Sequence, residues 1–443
     1  MRALNRREFM RAAVAAVALP QARSLPQRPN VLFILADDLG YGDLSCYGRP
    51  DYKTPVLDSM ATEGLRFTDA YAAAAVCTPT RVGFHTGRYP HRLPIGLQEP
   101  LVDGNSQIGI PVEHPTISSL LKANRYETGL IGKWHLGNDP RFNPVRHGFE
   151  EFFGIVGGSL GYFTHRNNAN LPGLFENERS VEVDGYLTEL FTDRAIQFIK
   201  RRRTRPFYLS LHYNAPHWPW EGPGDKEAAL LANLGENTIA RSAEVVAAGG
   251  SAEIFAEMMK SMDTGIGRIL QTLRDSGLER NTLVIFTSDN GGERYSHNWP
   301  FSFQKGNLWE GGIRVPAIVR WPGTVPAGKT TDQAAITMDW TATILATTGT
   351  SPASSHPLDG MDLMGVCTGE KPLVERTLFW RNRPHDAARI GNWKYLKENS
   401  NEHLFDLTKD PGEKTDLMAN QTSTFERLRT AYQIWNSQVL PRA

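Results

Sequence analysis

Asn30-Val31-Leu32-Phe33-Ile34-Leu35-Ala36-Asp37-Asp38 is the stretch whose reading decides the fold. A short, unbroken apolar run suits a strand buried on both faces of a parallel sheet, and this one ends in paired carboxylates. Three more runs share its character: Thr128–Ile131, Pro206–Leu211 and Thr282–Thr287. Between them lie helical patterns. Leu187, Leu190, Phe191, Ala195 and Phe198 keep helical spacing up to Lys200–Arg203, which reads as a solvated helix end. Phe255, Met258, Met259, Met262, Ile266, Ile269, Leu270 and Leu273 follow the helical i, i+3, i+4, i+7 rule, and their methionines read as core packing. Strands alternating with helices predict an α/β fold: a large mixed, mostly parallel sheet with helices on both faces.

The texture changes after about residue 350. Ser351–Pro357 is a Ser/Pro-rich connector. Beyond it come strand-like pieces at Thr377–Trp380, Trp393–Leu396 and Leu404–Leu407, then a helix with Phe425, Leu428, Tyr432 and Trp435 on one face. The pattern predicts a main α/β domain over residues 27–350 and a small C-terminal α+β subdomain over 351–443. Residues 221–252, rich in Gly, Ala and Glu, read as an insertion or lid.

Composition removes several classes of function. The 443 residues are 40% hydrophobic and 22% charged, ordinary for a chain with a full core. The 48 Lys+Arg cancel the 48 Asp+Glu, so no charge excess points to nucleic acid or an anionic membrane surface. Three cysteines are too few to staple the chain, and Cys46 and Cys367 read as packing residues. At the N-terminus, Arg6-Arg7 precedes the small apolar run Ala12–Leu19, which is far shorter than the about 20 residues of a membrane helix. A basic segment before a short apolar run is the secretory pattern, and paired arginines make residues 1–26 resemble a twin-arginine signal. The expectations are a periplasmic or secreted protein, delivered by the twin-arginine export machinery and not inserted in the membrane.

Chemistry gathers where the buried runs end. The first ends in Asp37-Asp38, the second in Gly132-Lys133-Trp134-His135, the third runs on to Ala215-Pro216-His217, and the fourth ends in Ser288-Asp289-Asn290-Gly291-Gly292. Ligands of open α/β sheets bind beyond the carboxyl ends of the strands. Each piece alone has an ordinary reading as a turn or a solvated charge, but their coincidence points to one site. Asp37, Asp38, Asp289 and Asn290 offer oxygen ligands only, the set preferred by Ca²⁺ or Mg²⁺ and not by zinc. Lys133, His135, His217 and Lys305 would add positive charge around that ion, which suits an anion whose charge moves during reaction.

The candidate nucleophile lies in Cys77-Thr78-Pro79-Thr80-Arg81. Proline is at home in the first turn of a helix, so Cys77 would sit at a helix N-terminus that favours an anion, with Arg81 on the same face. Two plainer readings stand beside this one: a cysteine packed as a small hydrophobe, and an unmodified thiolate, whose usual His–Asn or His–Asp partners are not evident nearby.

Cys77-Thr78-Pro79-Thr80-Arg81 followed by Thr86-Gly87-Arg88 resembles the Cys-x-Pro-x-Arg signature of the type I sulfatases, within the alkaline phosphatase superfamily. The companion segments Ala36–Asp43, Gly132–Gly137, Ala215–His217, Ser288–Gly292 and Lys305-Gly306 through Glu310–Pro316 come in the family's order, and Leu404–Leu407 with Asp410–Glu413 resembles its terminal segment. Thr80 stands where Ser or Ala is frequent and His85 where an aliphatic residue is usual. The resemblance implies that Cys77 is oxidised to formylglycine by a maturation enzyme. It also implies that Asp37, Asp38, Asp289, Asn290 and modified Cys77 hold one Ca²⁺, with Mg²⁺ as the other hard ion that would suit. One hydroxyl of the formylglycine hydrate would attack sulfur. Lys133, His217 and Lys305 would neutralise the sulfuryl oxygens, with His217 as proton donor to the leaving oxygen. Arg81 would steady the hydrate, and His135 would take the proton whose loss expels sulfate.

Aryl sulfatases and N-acetylgalactosamine-6-sulfatases are sulfatases of this kind, so the expected substrate is a small-molecule or oligosaccharide sulfate ester. Trp134, Trp218, Trp220, Trp299 and Trp309 lie in sequence near the site motifs and suit sugar or aryl groups, or simply the core. Two other functions remain at this point. One is a phosphate or phosphonate monoester hydrolase, disfavoured because two-metal members carry Asp-His pairs and extra His ligands, whereas this chain has Asp289-Asn290 and no Asp-His dipeptide. The other is a catalytically silent Ca²⁺-dependent glycan-binding protein, disfavoured by retention of Cys77, Arg81 and both lysines.

Overall fold

The computed structural model describes residues 28–167, 169–234 and 249–442, without the side chains of 231–234. The export leader expected over 1–26 lies outside the described residues. So does 235–248 of the expected lid, whose described part holds the helix Lys226–Leu234.

A ten-stranded sheet forms the frame. At its centre Thr282–Ser288, Asn30–Ala36, Phe207–His212, Glu127–Lys133 and Glu151–Ile155 lie side by side and parallel. The first four are the runs read from the sequence, each within a residue or two of its expected ends. Leu174–Glu176 and Arg179–Ser180 continue one edge in antiparallel fashion. Ala317–Arg320, Leu65–Phe67 and Lys329–Thr331 continue the other, with antiparallel and then parallel pairing. The mixed, mostly parallel sheet is thus the expected one.

Burial on both faces follows from alternation along each strand. In Asn30–Ala36, Leu32, Ile34 and Ala36 join the core under the helices Leu187–Lys200 and Ala252–Asp275. Val31, Phe33 and Leu35 point the other way, into the core under Cys77–Thr86, Ile117–Ala123 and Thr337–Thr347. Met258, Met259 and Met262 are wholly buried packing residues. Cys46 and Cys367 are free thiols associated with different cores.

The C-terminal part forms a four-stranded antiparallel meander, Thr377–Arg381, His385–Ile390, Trp393–Glu398 and Asn401–Asp406, against which Thr422–Asn436 packs. The sequence reading missed His385–Ile390, because its buried Asp386 and Arg389 interrupt the apolar pattern. Both are paired: Asp386 with Arg442 and the Tyr432 hydroxyl, and Arg389 with Asp69.

This small sheet packs against the segments that carry part of the site. Its core residues share a cluster with Ala75, Leu308 and Ile313, and the Trp380 indole donates to the Ala72 carbonyl at 2.8 Å. A buried clamp reinforces the contact. Lys394 Nζ lies 2.9 Å from Glu310 and 2.7 Å from Glu413, while Glu413 also accepts the Glu310 N–H at 2.7 Å. Removing one charge from such a clamp would leave its partners buried and unpaired, at a cost of about 3–5 kcal/mol.

Candidate active site

The central strands deliver their polar ends to one place because their pairing continues past them. Asp289 N–H donates to the Ala36 carbonyl at 3.2 Å and Asp37 N–H to the Ala215 carbonyl at 3.1 Å. Asp38 then turns back with φ 61, a left-handed conformation uncommon for a non-glycine residue. The turn lets its N–H reach Asp289 Oδ1 at 3.1 Å and its Oδ1 accept from Asn290 Nδ2 at 2.7 Å. Two glycines permit the crowding. A Cβ on Gly132, at φ +109, would stand 1.7 Å from the His212 carbonyl oxygen, and one on Gly291 would stand 1.9 Å from that of Gly311.

Three cations face the three carboxylates. Lys133 Nζ lies 2.6 Å from Asp37 and Lys305 Nζ 2.5 Å from Asp38. Arg81 donates from Nε and Nη2 to Asp289 at 3.0 and 2.8 Å, and from Nη1 to the Lys133 carbonyl at 2.9 Å. The guanidinium therefore braces the carboxylate end of the site. Burial acts to raise the Asp38 carboxyl, but Lys305, His217 and Lys133 outweigh it and hold the group well below the usual carboxylate range. Asp289 goes the other way: burial, with Asp37 alongside, lifts it to about 7 against the pull of Arg81.

Cys77 opens the helix Cys77–Thr86, all ten residues of which are buried. Thr80 explains its own identity, since its hydroxyl bonds both the N–H and the carbonyl of Ala74 at 3.0 Å. That pair fastens the small-residue segment before Cys77 to the first helical turn, a task that serine can also do. Cys77 Sγ lies 3.3 Å from His135 Nδ1, and His135 Nε2 lies 2.8 Å from the Leu101 carbonyl oxygen. His135 itself has φ 57. Burial raises the Cys77 thiol to about 11, although Lys133 and Lys305 oppose the shift. A thiol held un-ionised at neutral pH is a poor nucleophile.

His217 Nε2 stands 3.6 Å from Asp38 Oδ2, and its Nδ1 lies 2.5 Å from the Trp218 carbonyl oxygen. The carbonyl must accept, so in the neutral ring Nδ1 bears the hydrogen and Nε2 a lone pair. Burial lowers its pKa to about 3 against the raising influence of Asp38, with Lys305 and Lys133 adding to the fall.

The donor set fits a hard cation. Asp37 Oδ1 and Asn290 Oδ1 are buried oxygens with no hydrogen-bond partner, which such an ion would satisfy. Ligand atoms of Asp37, Asp38 and His217 lie within 4.8 Å of one another, so a nitrogen stands beside the oxygen set read from the sequence. The three carboxylates and three fixed cations balance, and a divalent ion would leave the cluster net positive, as an anionic ester requires.

The ten residues read from the sequence as catalytic or metal-holding thus meet in one cluster. Sequence reasoning missed the Leu101 carbonyl that orients His135. It also missed His212, which lies 3.3 Å from Arg81 Nη1 and 2.8 Å from Ser210 Oγ. Glu293, 3.8 Å from Lys305, and the unpartnered buried amide of Asn214 escaped it as well. Glu293 and Asn214 adjoin the motifs and were open to suspicion, whereas a polar residue inside the strand Phe207–His212 was the only sign of His212. The tryptophans divide. Trp134 and Trp220 are buried, Trp218 lies beside the His217 ring at 4.9 Å between centroids, and Trp299 is 65% exposed.

Known proteins resemble the chain over nearly its whole length. The family model described as Sulfatase matches residues 29–350, and one described as N-sulphoglucosamine sulphohydrolase, C-terminal, matches 296–434. The N-acetylgalactosamine-6-sulfatase of Sus scrofa is 32% identical over 465 residues, covering 91% of this chain and 84% of the relative. Arylsulfatase A of Homo sapiens is 30% identical over 469 residues, covering 91% and 86%. Among solved structures, Ps i-CgsB in complex with k-i-k-neocarrahexaose superposes with a TM-score of 0.82 at 31% identity, covering 92% of this chain and 93% of that one.

Proposed function

The chain belongs to the type I sulfatases of the alkaline phosphatase superfamily, hydrolases of sulfuric esters, and from that premise we propose how it works and on what. The substrate is a sulfated carbohydrate, cleaved with formylglycine made from Cys77 and one bound Ca²⁺. The observation that carries this reading is the position of Cys77: a helix N-terminus, 3.3 Å from a histidine nitrogen, beside a balanced buried charge cluster. Likeness to the N-acetylgalactosamine-6-sulfatase and to a structure bound to k-i-k-neocarrahexaose supports the carbohydrate.

Asp37, Asp38, Asp289 and Asn290, with the side chain at position 77, would hold the cation, which supplies Lewis-acid polarisation of a sulfuryl oxygen. Formylglycine as its hydrate would supply two hydroxyls on one carbon: one, its proton passing to a carboxylate of the site, would attack sulfur as the ester S–O bond breaks, and proton loss from the other would break the C–O bond to sulfate and return the aldehyde. The other steps belong to fixed side chains. His135 has its Nε2 hydrogen on the Leu101 carbonyl, so its Nδ1 lone pair is free to take a proton from position 77. Lys133, anchored on Asp37, and Lys305, anchored on Asp38 with Glu293 at 3.8 Å, keep further N–H bonds for the sulfuryl oxygens. His217 delivers a proton from Nε2 to the leaving oxygen. Burial, with the lysines adding to it, keeps the ring neutral without substrate, and an anionic ester beside it favours the protonated form that carries this hydrogen on Nε2. Arg81 is spent on Asp289 and the Lys133 carbonyl, and so steadies the residues around the hydrate.

No helix among the described residues is long and apolar enough to cross a membrane. Residues 1–26 are proposed as a twin-arginine leader to the periplasm or exterior, 27–350 as the catalytic domain and 351–443 as the subdomain. A panel of sulfated mono- and oligosaccharides, with an aryl sulfate as control, tests the reading. Selective turnover of sulfated sugars supports it, and turnover of phosphonate or phosphate monoesters above every sulfate ester contradicts it.

A further inference from the structure

The turn between Thr377–Arg381 and His385–Ile390 is wedged between two loops of the active site. Asn382 Nδ2 donates to the Gly306 carbonyl at 2.8 Å, immediately after Lys305. Arg383 N–H donates to Glu99 Oε2 at 2.9 Å, two residues before Leu101, whose carbonyl holds His135. One side-chain hydrogen bond and a peptide unit at either end separate Arg383 from Lys305, and consecutive Cα atoms are about 3.8 Å apart. Arg383 is therefore near the mouth of a site built for an anion.

Its side chain is uncommitted. Arg383 is exposed and its guanidinium makes no ion pair or hydrogen bond among the described residues. It lines an open depression of about 360 Å³ with Pro384, Asp386, Lys397, Asn399 and Arg442. The Lys397 ammonium is likewise without an ion pair among the described residues, and Lys397 stands directly across the ladder from Asp386. Asp386, the one carboxylate of the depression, is already taken by Arg442 and the Tyr432 hydroxyl. Two free cations thus face a depression whose acid is neutralised, on a chain whose overall charge balances. An arginine fork and a lysine suit a sulfate or carboxylate.

We propose that Arg383 and Lys397 form a second anion-binding subsite, which takes a sulfate ester or carboxylate on a sugar neighbouring the one that is desulfated. The inference rests on the carbohydrate reading above and narrows it to a polyanionic oligosaccharide. Because Arg383 is exposed and Lys397 half-buried, the contribution is electrostatic and falls with salt.

Binding to the full mature chain tests it by calorimetry with two probes, a multiply sulfated galactan hexasaccharide and a sulfated galactosamine–glucuronate hexasaccharide. Arg383→Gln is expected to weaken at least one Kd about two- to fivefold. Arg383→Lys should recover part of the loss, Arg383→Gln/Lys397→Gln should deepen it, and raised salt should shrink the difference. Loss confined to the galactan identifies sulfate as the ligand, and loss confined to the other probe identifies the carboxylate. Aryl sulfate turnover by all three variants should match the parent, because that substrate lacks the second anion. Arg125→Gln, an exposed charge before the strand Glu127–Lys133 at the opposite end of the sheet, should leave both Kd values unchanged. The proposal is overturned if the parent binds neither probe, if Arg383→Gln leaves both Kd values in place, or if Arg125→Gln raises them as much as Arg383→Gln does. A parent that binds the probes but turns over no sulfate ester would instead contradict the hydrolytic reading alone.

Discussion

His135 Nδ1 lies 3.3 Å from Cys77 Sγ, while the other nitrogen of the same ring is held 2.8 Å from the Leu101 carbonyl oxygen. The second contact determines the first. A carbonyl oxygen can only accept, so Nε2 bears the hydrogen and Nδ1 presents a lone pair to position 77. Burial holds the ring's pKa well below its ordinary value, and the nearby Lys133 ammonium adds to the effect. A base that is neutral, oriented and within reach of the nucleophile's side chain is what expulsion of sulfate requires.

Replacing His135 by Ala should therefore separate the two halves of the reaction. With an aryl sulfate in stopped flow, the variant is expected to release about one equivalent of phenol and then stall. Steady turnover should fall on the order of 10²- to 10⁴-fold. If the first release slows as much as steady turnover, His135 acts before or during attack on sulfur instead.

The oxygens of Asp37 and Asn290 that lack a hydrogen-bond partner make a metal prediction. A calcium chelator should abolish turnover and lower Tm, and Ca²⁺ should restore both. A ligand at a hundredfold excess over its Kd contributes about 2.7 kcal/mol to the folded state. Elemental analysis should find one hard ion per chain. Two zinc ions at full occupancy would contradict the proposed site.

His85 makes a pH prediction. Neither ring nitrogen has a hydrogen-bond partner, and the ring lies 4.8 Å from Trp134 between centroids. Burial, with Arg81 nearby, lowers its pKa well below 6.5, so the fold accepts only the neutral ring. The unfolded chain takes up a proton below about 6.5 that the folded chain refuses, so this part of the stability is full above that pH and lost below it. His85→Leu should raise Tm at neutral pH and shrink the stability lost between pH 7 and pH 5 by about 2 kcal/mol. An unchanged acid slope in urea titrations at both pH values would sink the idea.

How much of this was legible in the sequence depends on where polar residues fall. Asn30–Ala36 and its three neighbours could be read because strands buried on both faces carry no polar alternation, so the first charge, as at Asp37, marks the strand end. His385–Ile390 was illegible for the converse reason. Asp386 and Arg389 are buried within it, and their partners Arg442 and Asp69 are distant in sequence. In the site, residue types pointed to Asp37, Lys133 and Asp289, but the proton positions on His135 and His217 come from the carbonyls of Leu101 and Trp218. Every residue has a carbonyl, so composition and spacing carry no trace of such a contact. The tryptophans show the same limit, since Trp134 lies wholly in the core and Trp299 in solvent although both neighbour site motifs.

The central claim is that the working nucleophile is a modified Cys77 and not its thiol, which burial raises to about 11. The direct measurement expresses the protein with graded amounts of formylglycine-generating enzyme. The aldehyde fraction at position 77 is quantified by peptide mass spectrometry and plotted against specific activity on one sulfate ester. A straight line through the origin is the expected result, with Cys77→Ala at zero and Cys77→Ser stopping after at most one turnover. Full activity in protein shown to be aldehyde-free would contradict it.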